Sequence, residues 1–168
     1  MNKEQESRYP SCIGIGSNLD DPEAQVRQAL RALETVDSTR VTAVSSLYRN
    51  PPMGPADQPD YVNAVAILLT ALPPRALLQQ LQALERRQGR VRESHDRWGP
   101  RRLDLDILTY GKKTISEPGL QIPHPGISER NFVLFPLLEI APQLHIPGLG
   151  CVSDLVLEMD ASTLEKIF

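Results

Sequence analysis

Cysteine is nearly missing from this chain: Cys12 and Cys151 are the only two. Thiols so few and so far apart build neither a disulfide framework nor a metal knuckle, which points to a reducing cytoplasm. Long apolar runs are missing as well. No stretch reaches the roughly 18 uninterrupted apolar residues that would span a bilayer, and the polar start from Met1 to Arg8 lacks the apolar run of a secretion signal. Excess charge of one sign is small, since 18 Lys and Arg against 21 Asp and Glu leave a net −3. There is accordingly no bulk attraction to nucleic acid or to an anionic membrane. The common nucleotide-binding motifs are absent too. Gly14-Ile15-Gly16 supplies two glycines of a dinucleotide fingerprint without the third, and no Gly-Lys-Ser/Thr loop exists. If ATP binds here, arginines and metal must hold it.

What is present fits one core. The 168 residues, 40% hydrophobic and 23% charged, have an ordinary globular balance. Residues 1–10 read as a disordered tail and 11–168 as a single domain. Cys12 to Gly16 predicts a buried strand. Asp21 predicts a helix cap, with Pro22 in the first turn and Val26, Ala29, Leu30 and Leu33 along one face. A β-rich run from Val41 to Tyr48 leads into a proline loop, and a strand is predicted over 60–69 with Tyr61, Asn63, Val65 and Ile67 on one side. Pro73-Pro74 opens a second helix carrying Leu77, Leu78, Leu81 and Leu84, and Gly89 stops it. A strand over 103–110, a loop around His124, a short helix near 132–140 and a C-terminal helix complete the chain. The order β-α-β-β-α-β with additional C-terminal helices predicts an α+β, ferredoxin-like sandwich.

Leu103-Asp104-Leu105-Asp106-Ile107 carries the clearest chemistry. In a strand the apolar three face the core and the two aspartates project together from the other side. Adjacent carboxylates repel unless a cation joins them, and Mg²⁺ suits a site of one or two carboxylates completed by water and phosphate oxygens. For a bare Asp-x-Asp, a solvated strand face is the commoner explanation. Just before it, however, Arg90, Arg92, Arg97, Arg101 and Arg102 crowd together in an otherwise acidic protein. Forked guanidinium donors beside a Mg²⁺-type carboxylate pair are what phosphoryl transfer requires. Trp98, the single tryptophan, lies in this loop between charged residues and Gly99-Pro100, as a lid element would. Tyr61 and Asn63 pair a flat ring with an amide, a combination suited to a planar heterocycle. His124, between Pro123 and Pro125, is held in a stiff loop.

Several of these segments closely resemble the hydroxymethyldihydropterin pyrophosphokinase family. The matching runs are Gly16-Ser17-Asn18-Leu19, Gly54 through Asn63, Gln88 through Arg92, Arg97 through Ile107, Ile122-Pro123-His124-Pro125 and Glu129 through Leu134. The resemblance spans about residues 11–145, and the Arg-Trp-Gly-Pro-Arg…Asp-Leu-Asp run is its most specific part. It implies a ferredoxin-like enzyme that moves pyrophosphate from ATP to a pterin alcohol. It further implies two Mg²⁺ ions on Asp104 and Asp106, with Arg90 and Arg101 assisting transfer. Gln82, Glu85, Arg92, His124 and Arg130 would contact ATP. Tyr61 and Phe132 would sandwich the pterin, Asn63 would read its edge, Trp98 would close over it, and Asn50, Pro51 and Met53 would complete the contacts. Asn50 stands where threonine is more usual, proline follows His124 where some members have tyrosine, and the Arg92–Trp98 loop is one residue longer than in some. A monomer without nucleic-acid or membrane partners is expected. Two other readings stay open: a different Mg²⁺-dependent nucleotide transferase, and a ferredoxin-like binding module without catalysis.

Overall fold

The computed structural model describes residues 7–51, 58–89 and 103–167. Its elements in chain order are β1 (Tyr9–Ser17), α1 (Pro22–Leu33), β2 (Thr39–Val44), β3 (Leu47–Asn50), β4 (Tyr61–Thr70), α2 (Pro74–Arg87) and β5 (Asp104–Tyr110). There follow β6 (Ile115–Glu117), β7 (Leu120–Ile122), α3 (Asn131–Ile140), β8 (His145–Ile146), β9 (Gly150–Cys151), α4 (Val152–Leu155) and β10 (Glu165–Ile167). The main sheet runs β10-β3-β4-β1-β5, and β2 also pairs with β4. Its neighbouring strands are all antiparallel. With β2 and β3 taken as one interrupted strand, the core order is last-first-third-second, the ferredoxin-like arrangement predicted from the sequence.

Local chemistry accounts for the helices. The Asp21 carboxylate accepts from the Ala24 N–H at 3.3 Å, and Pro22 occupies the first turn, where no N–H is missed. Val26, Ala29 and Leu33 of α1 are buried, as are Leu77, Leu81 and Leu84 of α2. Both helices cover one face of the sheet, packing on Ile13, Ile15, Val62, Ala64, Ala66, Leu68, Leu105 and Ile107. The other face has a separate cluster. There α3 sets Val133, Leu134 and Leu137 on Cys12, Val65 and Leu108.

The structure corrects the sequence reading in four places. Strand β1 starts at Tyr9, so Tyr9 and Pro10 belong to the sheet and not to the predicted tail. The predicted run from Val41 to Tyr48 is two strands, broken at Ser45-Ser46. At the break the Ser45 hydroxyl accepts from Val65 N–H at 2.9 Å, while Ser45 N–H donates to Val65 C=O at 2.8 Å. The loop before His124 contains the hairpin β6–β7, with Ile115 opposite Ile122. The predicted C-terminal helix is only the four-residue α4 and a 3₁₀ turn, Val156–Glu158. The chain then turns back to add β10 to the edge of β3, so the last C-terminal element is a strand.

Candidate active site

Helix α3 covers only part of its face of the sheet. Beyond it lie the strand ends that carry the polar residues. Across this end, Tyr48 pairs with Asn63, Asn63 with Gly16, and Gly16 with Asp104. One pleat away Gly14 stands opposite Asp106. Directly paired residues share a face, so Asn63, Gly16 and Asp104 form one row and Gly14 and Asp106 the next. Asn63 and Asp104 are two strand spacings apart, roughly 10 Å.

Gly14 and Gly16 place no side chain beside the aspartates. A Cβ at Gly16 would stand 2.7 Å from Asn63 Oδ1, so the glycine is what admits the Asn63 amide. That amide is buried, and its Nδ2 donates to Asn50 Oδ1 across the β3–β4 pair. Asn50 Nδ2 in turn donates to the Pro51 carbonyl at 3.1 Å. The relay fixes the orientation of the Asn63 amide and directs its oxygen toward the row. Tyr61 is paired with Asn50 on the same side.

Asp104 and Asp106 are half-buried on β5, opposite the buried Leu103, Leu105 and Ile107. They supply hard oxygen donors next to a lane without side chains. That is a donor set Mg²⁺ accepts when substrate oxygens and water complete it. Among the described residues no group of three or more His, Cys, Asp and Glu gathers as a full protein cage.

Of the residues expected to contact ATP, Gln82 and His124 reach a cleft of about 330 Å³ between α2, β5 and the β6–β7 hairpin. Gln82, Asp106, Glu117, Gln121 and His124 line it. Glu85, one turn along α2 from Gln82, is buried. His124 is anchored through its N–H to the Leu108 carbonyl at 2.9 Å. Burial and the neighbouring Arg130 charge push its imidazole down to about 4, against a smaller opposing pull from Asp104. At neutral pH the ring is therefore uncharged. Gly126 N–H donates to its Nδ1 at 3.0 Å, leaving Nε2 to carry the ring proton. Gly126 also makes room for Arg130, since a Cβ there would stand 2.8 Å from Nε. The Arg130 guanidinium lies 5.8 Å from the centroid of Phe132.

The fold thus gathers Asn50, Tyr61, Asn63, Asp104, Asp106, His124, Arg130 and Phe132 on the face that carries α3, with Gln82 at the cleft. Pro51 is exposed just beyond β3. Met53, Arg90, Arg92, Trp98 and Arg101 lie outside the described residues, as does the Arg92–Trp98 loop. Two contributors had no role assigned from sequence. Asn18, almost fully buried, donates to Gln58 Oε1 at 3.3 Å and to the Pro59 carbonyl at 3.2 Å. It ties the end of β1 to the approach of Tyr61. Glu139, on α3, accepts from Ser46 N–H at 2.9 Å, from Ser46 Oγ at 2.8 Å and from Tyr48 Oη at 2.9 Å. A short polar residue in a quoted motif signalled Asn18, whereas nothing local signalled Glu139.

A family model described as 7,8-dihydro-6-hydroxymethylpterin-pyrophosphokinase (HPPK) matches residues 12–142. The chain belongs to that family. A 2-amino-4-hydroxy-6-hydroxymethyldihydropteridine pyrophosphokinase of Pseudomonas aeruginosa is 51% identical over 155 residues, which are 92% of this chain and 94% of that protein. The Haemophilus influenzae protein of the same name is 48% identical over 144 residues, 86% of this chain and 89% of its own. Among solved structures, wild-type Plasmodium falciparum HPPK-DHPS superposes with a TM-score of 0.74 at 13% identity. That match takes in 98% of this chain but only 49% of the Plasmodium chain. This chain spans about half the length of that neighbour, and at such identity the likeness bears on the fold alone. The HPPK match ends before α4 and β10, so the C-terminal elements lie outside it.

Proposed function

We propose that this HPPK-family chain transfers pyrophosphate from ATP to 6-hydroxymethyl-7,8-dihydropterin, giving AMP and the pterin diphosphate in folate biosynthesis. One observation carries the reading. The pair Asp104 and Asp106 and the amide of Asn63 flank a glycine lane about two strand spacings wide. A flat bicyclic ring bonded to Asn63 would reach across that lane with its hydroxymethyl oxygen toward the carboxylates.

The hydroxymethyl oxygen attacks the β-phosphorus of ATP. The bond from the β-phosphorus to the oxygen bridging it to the α-phosphorus breaks, AMP leaves, and the hydroxyl proton passes to solvent. Asp104 and Asp106 are the residues that would hold Mg²⁺, two ions in our reading. When bound, the metal neutralises polyphosphate charge and aligns the phosphates. His124, uncharged and protonated on Nε2, donates to a phosphate oxygen, and Arg130 adds positive charge beside it. Gln82 and Glu85 serve the nucleotide from α2. Arg90, Arg92 and Arg101 grip the polyphosphate with forked donors. Tyr61 and Phe132 stack on the pterin, Asn63 reads its edge, backbone groups near Asn50, Pro51 and Met53 complete the contacts, and Trp98 closes over it. Positioning and charge neutralisation supply most of the acceleration in a loose transition state.

The test is incubation with ATP, Mg²⁺ and the dihydropterin, with the nucleotide products separated by chromatography. AMP formed only when the pterin is present supports the reading. ADP, or pyrophosphate released from ATP, overturns it in favour of another nucleotide transferase.

A further inference from the structure

The C-terminal segment beyond the HPPK match touches both walls of the ring site. Strand β10 sets Glu165 opposite Arg49, Lys166 opposite Tyr48 and Ile167 opposite Leu47. These are the residues of β3 that lead directly to Asn50. Glu165 and Arg49 also approach at 3.5 Å as an exposed ion pair. A few residues earlier the chain makes a tight turn. The Asp160 carboxylate accepts from Ser162 N–H at 2.8 Å and from Ser162 Oγ at 2.9 Å, and Leu164 N–H donates to the Ala161 carbonyl at 3.0 Å.

That turn presents two acceptors side by side, and one side chain takes both. Asn131 Nδ2 donates to the Asp160 carbonyl at 2.9 Å and to Thr163 Oγ1 at 3.1 Å. An amide nitrogen has two protons, so the pair uses its full donor capacity. Asn131 is the first residue of α3, between Arg130 and Phe132. No side chain caps the start of this helix. Its apolar anchorage comes from Val133, Leu134 and Leu137, with Phe132 only partly buried against the same cluster. Asn131 adds a polar tie to this packing, at the residue directly before Phe132. Only Leu164 separates Thr163 from Glu165, the β10 residue paired with Arg49.

We propose that Asn131 is a positioning residue for the dihydropterin ring, acting through the turn at residues 160–163 to hold Phe132 at a set spacing from Asn50 and Asn63. The inference rests on the pyrophosphokinase reading above. The C-terminal segment joins the two walls as a strap, and Asn131 is where it fastens to α3. Losing the fastening frees the stacking wall while leaving the carboxylates and the cleft as they were.

The experiment measures dihydropterin affinity by fluorescence titration in the presence of Mg²⁺ and a non-hydrolysable ATP analogue, alongside KM for ATP and Tm. Asn131→Ala and Thr163→Val are expected to weaken pterin binding about fivefold, the scale of one ordinary hydrogen bond. KM for ATP should stay within about twofold, and Thr163→Ser, which keeps the hydroxyl, should retain wild-type affinity. Unchanged pterin affinity in both weakening variants overturns the proposal, and so does a Thr163→Ser protein as weak as Thr163→Val. If Asn131→Ala does not fold, the Thr163 pair still decides. Failure of the wild type to make pterin-dependent AMP sinks the underlying reading; an active wild type with indifferent variants sinks only this inference.

Discussion

The two faces of the central sheet are built from the same strands and have opposite characters. On one, α1 and α2 cover Ile13, Ile15, Val62, Ala64, Ala66, Leu68, Leu105 and Ile107, all nearly inaccessible to solvent. On the other, α3 covers Cys12, Val65 and Leu108, and two residues further along the strands the sequence changes to Gly14, Asn63 and Asp106. Where the helix cover stops, apolar side chains gain little from the sheet and charged ones keep their water. One face is therefore a stability element along its whole length. The other is stability under α3 and chemistry beyond it.

The two faces should fail independently. The largest effect should come from Asp104→Ala or Asp106→Ala, each lowering kcat on the order of 10³-fold, as loss of a group that organises transition-state charge does. Urea unfolding should show little change in stability for either. Near wild-type turnover in either variant would refute the metal assignment. Leu81→Ala is the mirror case. It empties part of the fully buried face and should cost about 2–5 kcal/mol in urea unfolding, with kcat of the folded fraction preserved. A Leu81→Ala protein that keeps its stability but loses its rate would break the comparison.

Gly16→Ala probes the boundary. Its new Cβ would stand 2.7 Å from Asn63 Oδ1, so the amide must shift against the relay to Asn50 that holds it. Pterin affinity should fall about tenfold, or roughly 1.4 kcal/mol, with a smaller change in unfolding. Calorimetric titration would read both the affinity and its separation from ATP binding.

The smallest effect concerns the link between α3 and the strand break. Partial burial pushes the Glu139 carboxyl up, but the hydrogen bonds from Ser46 and Tyr48 and the Lys166 charge outweigh it and hold it below its ordinary range. The same contact, added to burial, pushes the Tyr48 hydroxyl up to about 12. A carboxylate depressed by folding stabilises fully above its unfolded value near 4.5, and that contribution is lost as the pH falls through the folded value. Glu139→Gln should destabilise by about 0.5 kcal/mol at neutral pH, since the group is exposed. The gap to wild type should close on acidification. A gap that persists in acid would mean that packing, not charge, makes the link.

Much of this was legible residue by residue. The start of α1 followed from Asp21 and Pro22, because a cap is local chemistry. The two faces of β4 followed from alternation, and the Asp104–Asp106 pair from the same period. The break at Ser45-Ser46 was not legible, because the carboxylate that satisfies Ser46 is 93 residues away. The C-terminal strand was illegible for a related reason. Residues 165–167 became a strand because β3 offered them an open edge, and no periodicity within the segment encodes that edge. Asn63 was read as an amide for a ring, but its fixed orientation needed Asn50 across the β3–β4 register.

The sequence by itself determined α1, α2, the strands β1, β4 and β5 and their buried faces, since capping, alternation and apolar spacing act over a few residues. Family membership was legible in its motifs for the same reason. Only the tertiary structure decided which residues meet: Asn63 over Gly16, Asn50 on Asn63, Glu139 in the strand break and Asn131 on the C-terminal turn. Those contacts depend on strand register and on where a helix ends over a sheet, and both are set by the packing of segments far apart in the chain.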